Sequence, residues 1–271
     1  MNPYLPQFCS GTCHIRILSL ALLGLLSCSR AALADDAKLD DKKEEPKKSK
    51  WESVVTAGVT LTRGNSDNFL ATISAATKRT WTSDELLFGA SAGYGENTTT
   101  VNGSKVDSTT DNYVRGYGQY NHLLTPRFYL GFRLTGEHDE IADLAYRFVA
   151  SPLAGYYFIK QTNAFLSAEF GPSYVREKFF DEDVDDYIGL RLAERGEYKF
   201  KNGTKIWESL EYIPRVDDFN DYLVVAEAGV SAPISKGFSV SLILQDTYKS
   251  VPAAGKEKND FKLIAGLSYN F

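Results

Sequence analysis

The sequence predicts an all-β chain: a transmembrane antiparallel β-barrel of twelve strands. Three observations predict it. From Trp51 onward, apolar residues recur with a period close to two, not 3.6. The alternating stretches follow one another directly, and many exceed the roughly five or six residues of soluble strands. They reach or pass the ~9–11 residues with which a tilted strand crosses a bilayer. Finally, the joins alternate between short and long, as in barrels with tight turns at one rim and loops at the other. Composition agrees: 16 Tyr and 16 Phe stand against a single Met, a mixture that favours strands.

Two segments precede the first strand. In residues 1–34, Arg16 is followed by the apolar run ILSLALLGLLS, and Ala32-Leu33-Ala34 supplies a small-x-small cleavage site. This is the pattern of a secretory signal peptide. Leu25-Leu26-Ser27-Cys28 loosely resembles a lipobox, a second processing site that would leave Cys28 lipidated; cleavage after Ala34 is favoured. All three cysteines, Cys9, Cys13 and Cys28, lie in this leader. The mature chain then has no disulfide, no cysteine nucleophile and no thiolate metal site. Losing the leader's two arginines takes the net charge from −5 to −7, which argues against nucleic acid as a partner. Residues 35–50, DDAKLDDKKEEPKKSK, carry mixed charge and almost nothing to bury. They are expected to be a flexible periplasmic linker.

The barrel domain, 51–271, divides into strands at 51–64, 67–79, 83–95, 109–122, 126–138, 144–158, 161–175, 185–199, 203–216, 221–233, 236–249 and 258–271. The third alternates Leu86, Phe88, Ala90, Ala92 and Tyr94 with Leu87, Gly89, Ser91 and Gly93. In the fifth, Phe128, Leu130, Phe132 and Leu134 alternate with Tyr129, Gly131, Arg133, Thr135 and Glu137. The eleventh sets Phe238, Val240, Leu242 and Leu244 against Ser239, Ser241, Ile243 and Gln245. In the last, Phe261, Leu263, Ala265, Leu267, Tyr269 and Phe271 share one face. Short joins are expected at 80–82, 123–125, 160, 201–202 and 235, the fourth carrying the hairpin signal Lys201-Asn202-Gly203. Long polar joins are expected at 96–108, 176–186 and 250–258. An even strand count returns the C-terminus to the rim where the chain entered.

A barrel in lipid turns its apolar stripe outward and must close, because an open edge leaves backbone groups unpaired in hydrocarbon. The opposite stripe then lines the lumen. Its candidates are Arg115, Arg133, Glu137, Arg147, Glu169, Arg191, Arg195 and Glu227, together with Tyr117, Gln119, Thr135, Ser167, Glu197 and Gln245. Charges of both signs there need water or partners, so a wet channel and a closed network of pairs both remain open. Two strands resist the scheme. Either face of KIWESLEYI places Glu208 or Glu211 outward, and Glu194 follows Ile188, Leu190 and Leu192 on the apolar side. Pro152 and Pro214 need special positions, since proline donates no ladder hydrogen bond.

The stretch WESVVTAGVTLTRGNSDNFLATISAATKR, with its turn Gly64-Asn65-Ser66-Asp67, resembles the start of the salt-induced outer membrane protein family, domain of unknown function 481, of Gram-negative bacteria. The resemblance covers Trp51 to Phe271. It implies an outer-membrane β-barrel and carries no established activity, cofactor or catalytic residue. The salt label describes expression in relatives. The ending also resembles the assembly signal of outer-membrane barrels, with Leu267, Tyr269 and Phe271 at alternate positions. This implies the barrel-assembly machinery as a partner, alongside outer-membrane lipid and lipopolysaccharide.

No catalytic constellation stands out. His122 and His138 fall at opposite ends of adjacent strands, and no zinc motif joins them. His138-Asp139-Glu140 alone hints at a base beside an acid, but no serine accompanies it. The carboxylate run Asp181 to Asp186, with Asp217 and Asp218, lacks the spacing of a calcium loop. Three functions follow: a narrow channel for small solutes or ions, a non-conducting structural barrel supporting the envelope under salt or osmotic stress, and an outer-membrane enzyme. The first is favoured and the last is remote.

Overall fold

The computed structural model describes residues 51–62, 66–101 and 104–271. The leader, the charged linker and Gly64-Asn65 of the first turn lie outside them. Twelve strands run in order: β1 (Trp51–Thr62), β2 (Ser66–Thr80), β3 (Asp84–Val101), β4 (Ser104–Leu123), β5 (Phe128–Asp139), β6 (Leu144–Lys160), β7 (Ala164–Phe179), β8 (Asp185–Lys199), β9 (Lys205–Pro214), β10 (Tyr222–Ser235), β11 (Phe238–Lys249) and β12 (Asn259–Asn270). Each pairs antiparallel with the next, and β12 returns to β1, so the sheet is a closed, all-β, twelve-stranded barrel. The closing register runs from Val54↔Asn270 to Gly58↔Gly266. Reciprocal backbone bonds between Ser53 and Phe271, 3.1 and 3.0 Å, lock its lower end.

The two faces are inverted relative to a soluble sandwich. Leu130, Phe132, Leu134, Phe148, Phe158, Phe170, Ile188, Leu242, Phe261 and Leu263 are exposed, while Arg147, Glu177, Arg191, Gln119 and Glu85 are buried. An apolar surface on this scale is a face for lipid. Aromatic pairs cluster at both rims: Tyr156 with Phe158, Tyr198 with Phe200 and Phe238 with Tyr269 at one, Tyr212, Tyr222 and Tyr248 at the other. Interfaces favour such amphipathic rings.

The expected joins change in two places. Residues 96–108 are not a long loop. β3 runs to Val101 and β4 starts at Ser104, paired down to those residues with one register shift between Gly95 and Glu96. The Thr- and Val-rich sequence carries the ladder onward, and Thr98 Oγ1 donates to Asp107 Oδ1 at 2.6 Å. Likewise β7 continues to Phe179, which shortens the expected 176–186 loop. The 250–258 connection is a loop, turning at Gly255 with φ +80°.

Proline explains a gap in the wall. The β6–β7 ladder is interrupted between the pairs Ala150↔Tyr174 and Ala154↔Phe170. Pro152 and Pro172 sit in this gap, where no amide donor is needed. Gly171 permits it: a Cβ there would collide with the Pro152 carbonyl. Inside the barrel, the Ser151 and Ser173 hydroxyls bridge the gap at 2.7 Å. Pro214 ends β9.

The resistant strands also resolve. Glu211 faces inward and Glu208 outward, lying over the bare backbone of Gly196. Glu194 shares that outer face through the Glu194↔Leu210 register.

Candidate functional site: the barrel interior

Strand parity places polar side chains inside, and the closed register decides which of them meet. Near the long-loop rim, Lys262 of β12 reaches Asp111 of β4 at 3.2 Å, Asp260 at 3.1 Å and Asp139 of β5 at 4.0 Å. Its ammonium also sits 4.0 Å from the Tyr113 ring centroid. Below it runs a chain of charges. Arg115 pairs with Glu137, and Arg147 takes Glu137 at 3.3 Å and Glu177 at 2.7 Å. Glu177 in turn accepts Lys249 of β11 at 3.2 Å, and Lys249 reaches Asp221 at 2.9 Å.

A second network lies at mid-height. Arg191 binds Glu211 at 2.6 Å and Glu169 at 2.8 Å. Glu169 also accepts from Gln119 of β4 at 2.6 Å and the Tyr129 hydroxyl at 2.9 Å. Arg133 lies over the Tyr117 ring at 4.1 Å and donates to Gln119 at 3.0 Å. Its approach to Glu211 is long, 3.9 Å, and its Nε is buried without a hydrogen-bond partner.

A third cluster sits toward the short-turn rim. Glu85, fully buried, accepts from the Tyr157 hydroxyl at 2.5 Å. Lys78 and Lys160 approach the same carboxylate at 3.8 and 3.7 Å.

Several of these contacts join strands that are not neighbours: β7 to β11, β5 to β9, β12 to β4 and β3 to β6. Such pairs cross the interior and brace it. Buried charges of this kind are tolerated where each meets its opposite, as Arg147 and Arg191 do.

The eight lumen candidates divide accordingly. Arg115, Glu137 and Arg147 join the upper chain, while Arg133, Glu169 and Arg191 join the middle one. Glu227 stands apart from both, and Arg195 touches the middle network only through Tyr117. Glu227 accepts from Trp207 Nε1 at 2.7 Å and Gln245 at 2.9 Å. Arg195 is exposed although its strand parity turns it inward. Sequence reasoning missed Glu85, Glu177, Lys249 and Lys262 as network members. Their inward parity was the available signal, but Glu177 lay in a segment assigned to a loop.

The remaining predicted positions are peripheral. Leu267, Tyr269 and Phe271 are exposed on the outer side of β12. Of the first turn, Ser66 and Asp67 begin β2. His138 bonds the Ala145 carbonyl at 2.8 Å, whereas Asp139 caps the amides of Ile141 and Ala142 at 3.0 Å each. The two do not address one another. Among the described residues no cluster of His, Cys, Asp or Glu has the geometry for a metal ion. Outside the wall, in the loop after β9, the Arg215 guanidinium donates to Asp217 at 2.7 Å and holds that carboxyl below its usual range.

Polar lining, apolar exterior and closure make this an outer-membrane-type β-barrel. No curated protein sequence matches the chain. Among solved structures it is similar to the NanC porin, at 8% identity and a TM-score of 0.49 over 81% of this chain and 100% of that one. It is also similar to the KdgM porin, at 12% identity and 0.42 over 81% and 99%. A third is the translocator domain of the autotransporter NalP from Neisseria meningitidis, at 13% identity and 0.42 over 93% and 98%. None of them carries a substrate across to this chain. Residues 55–271 match the family described as "Protein of unknown function, DUF481", and the chain belongs to that family.

Proposed function

We propose that the protein is a narrow channel of the bacterial outer membrane, with its short turns and both termini on the periplasmic side. One observation carries this reading. Arg195, turned inward by strand parity, is exposed toward the short turns, and beyond it the interior is narrowed by the charge networks and by the apolar clusters around Val175 and Tyr129. Twelve strands enclose a modest lumen, and cross-barrel pairs such as Glu177–Lys249 restrict it to small ions and solutes. The barrel-assembly machinery would insert it, and lipopolysaccharide would surround its outer rim.

The test is planar-bilayer conductance of the purified, refolded chain. Small stepwise currents, far below those of an open porin and changed by Arg133→Ala, support the channel. Silence at every voltage and salt concentration overturns it. That silence would favour the second reading, a non-conducting barrel that stiffens the envelope under salt or osmotic stress. The crossing pairs are the observation behind that alternative.

A further inference from the structure

We infer that Arg195 is the core of an anion-binding vestibule at the short-turn mouth, selecting small carboxylate- or phosphate-bearing solutes. The inference rests on the channel reading and names the solute class that the channel favours.

Arg195 differs from the other interior arginines. Arg147 and Arg191 are buried and hold two carboxylates each. Arg195 is exposed, and among the described residues it makes no ion pair. Its acidic neighbours are Glu197 and Glu227. Both are occupied: Glu197 pairs with Lys205 at 3.7 Å, and Glu227 accepts from Trp207 and Gln245. The Arg195 guanidinium lies 5.9 Å from the Phe165 ring centroid, and Lys78 lies 5.8 Å from the same centroid. Lys78 and Lys160 share one buried carboxylate, Glu85, at long distances.

The mouth therefore presents Lys78, Lys160, Arg195, Lys199 and Lys205 against Glu52, Glu85, Glu197 and Glu227. Its cations outnumber its carboxylates. The opposite mouth is the reverse. Lys262 faces Asp111, Asp139 and Asp260, while Arg215 faces Asp185, Asp217 and Asp221. A solute entering by the short turns meets a guanidinium whose planar fork bonds the Tyr117 hydroxyl but holds no carboxylate. Such a fork takes two oxygens of a carboxylate or phosphate. Phe165 and Trp207 supply flat apolar surface beside it. Trp207 itself lies against the inner wall, over Gly229, where a Cβ would overlap its ring.

Trp207 provides the test, which needs no current. In the Trp51→Phe, Trp81→Phe background it is the remaining tryptophan of the barrel. Iodide and caesium quenching of its fluorescence report local anion and cation concentrations. Iodide is expected to quench it more efficiently than caesium in the parent. The iodide-to-caesium ratio should fall about four-fold in Arg195→Gln, and about four-fold again in Arg195→Glu, because one unit charge at ~10 Å in water changes the local concentration of each ion about two-fold in opposite directions. Inorganic phosphate should protect Trp207 from iodide in the parent and fail to do so in Arg195→Gln. Heat-modifiable migration on a gel establishes that each variant is a folded barrel. Equal ratios in folded parent and both variants overturn the inference. Bilayer silence with an intact ratio removes the channel and keeps the site; currents with a flat ratio do the opposite.

Discussion

The Thr56 and Ser268 hydroxyls meet across the barrel seam, 2.8 Å apart. The chain of hydroxyls continues inside the wall, from Ser268 to Ser241 at 2.7 Å and on to Ser231 at 3.0 Å. Four strands are thus stitched where the barrel closes, beside a register that stops at Gly58↔Gly266. Thr56→Cys with Ser268→Cys, in a background lacking the leader cysteines, should form a disulfide on mild oxidation. Val59→Cys with Ala265→Cys, one position beyond the last register pair, should cross-link far more slowly. Gel mobility of unreduced protein reads both, and equal rates would show that the seam is zipped throughout.

Arg147 neutralises two buried carboxylates, Glu137 and Glu177. Arg147→Ala strands both, and breaking a buried pair costs about 3–5 kcal/mol. Arg133→Ala should cost much less, because the Arg133–Glu211 approach is already long. Thermal unfolding in detergent, followed by circular dichroism, ranks the two. An Arg133→Ala barrel as weak as Arg147→Ala would contradict the pairing described above.

The Trp207 ring occupies the space a side chain would need at Gly229. Gly229→Ala should displace the indole and lose its bond to Glu227, at an overpacking cost of about 1–3 kcal/mol. A red-shifted Trp207 emission with a lower melting temperature is expected. Unchanged emission would mean that the wall yields instead.

Asp217 gives a pH signature outside the membrane. Its carboxyl is depressed by the Arg215 hydrogen bond. The linkage sign follows: the stabilisation is present above the ordinary carboxylate pKa and is lost as pH falls through the lower, folded value. Arg215→Ala should therefore raise the Asp217 titration midpoint, as read by carboxyl carbon NMR shifts. A midpoint that stays put would mean the pair does not form in solution.

Phe271 is exposed and joined to Ser53 only through its backbone. Phe271→Ala keeps those bonds and removes the terminal ring, so refolded stability should change little while the amount reaching the membrane falls severalfold. Equal membrane levels would remove the assembly role.

Much of the wall was legible because strand parity is local. The strand over 185–199 coincides with β8, and the apolar stripe of Phe128, Leu130, Phe132 and Leu134 marks the outer side of β5. The polar hairpin at 96–108 was not legible, since threonine-rich sequence outside a membrane looks the same whether it pairs or loops. Nor was the partner of each interior charge. Lys249 and Glu177 are 72 positions apart, and only the barrel's stagger brings them to 3.2 Å. That Arg195 holds no carboxylate was equally hidden, because it depends on where Lys205 and Trp207 take the nearby ones.

Lys262 belongs to the last strand to be synthesised, while Asp111 and Asp139 wait on the fourth and fifth. Until β12 arrives, those carboxylates have no ammonium to face, and Glu177 likewise lacks Lys249 until β11 is placed. A chain cut short before β11 would keep the wall strands that carry these carboxylates and lose the cations that close the circuit across the lumen.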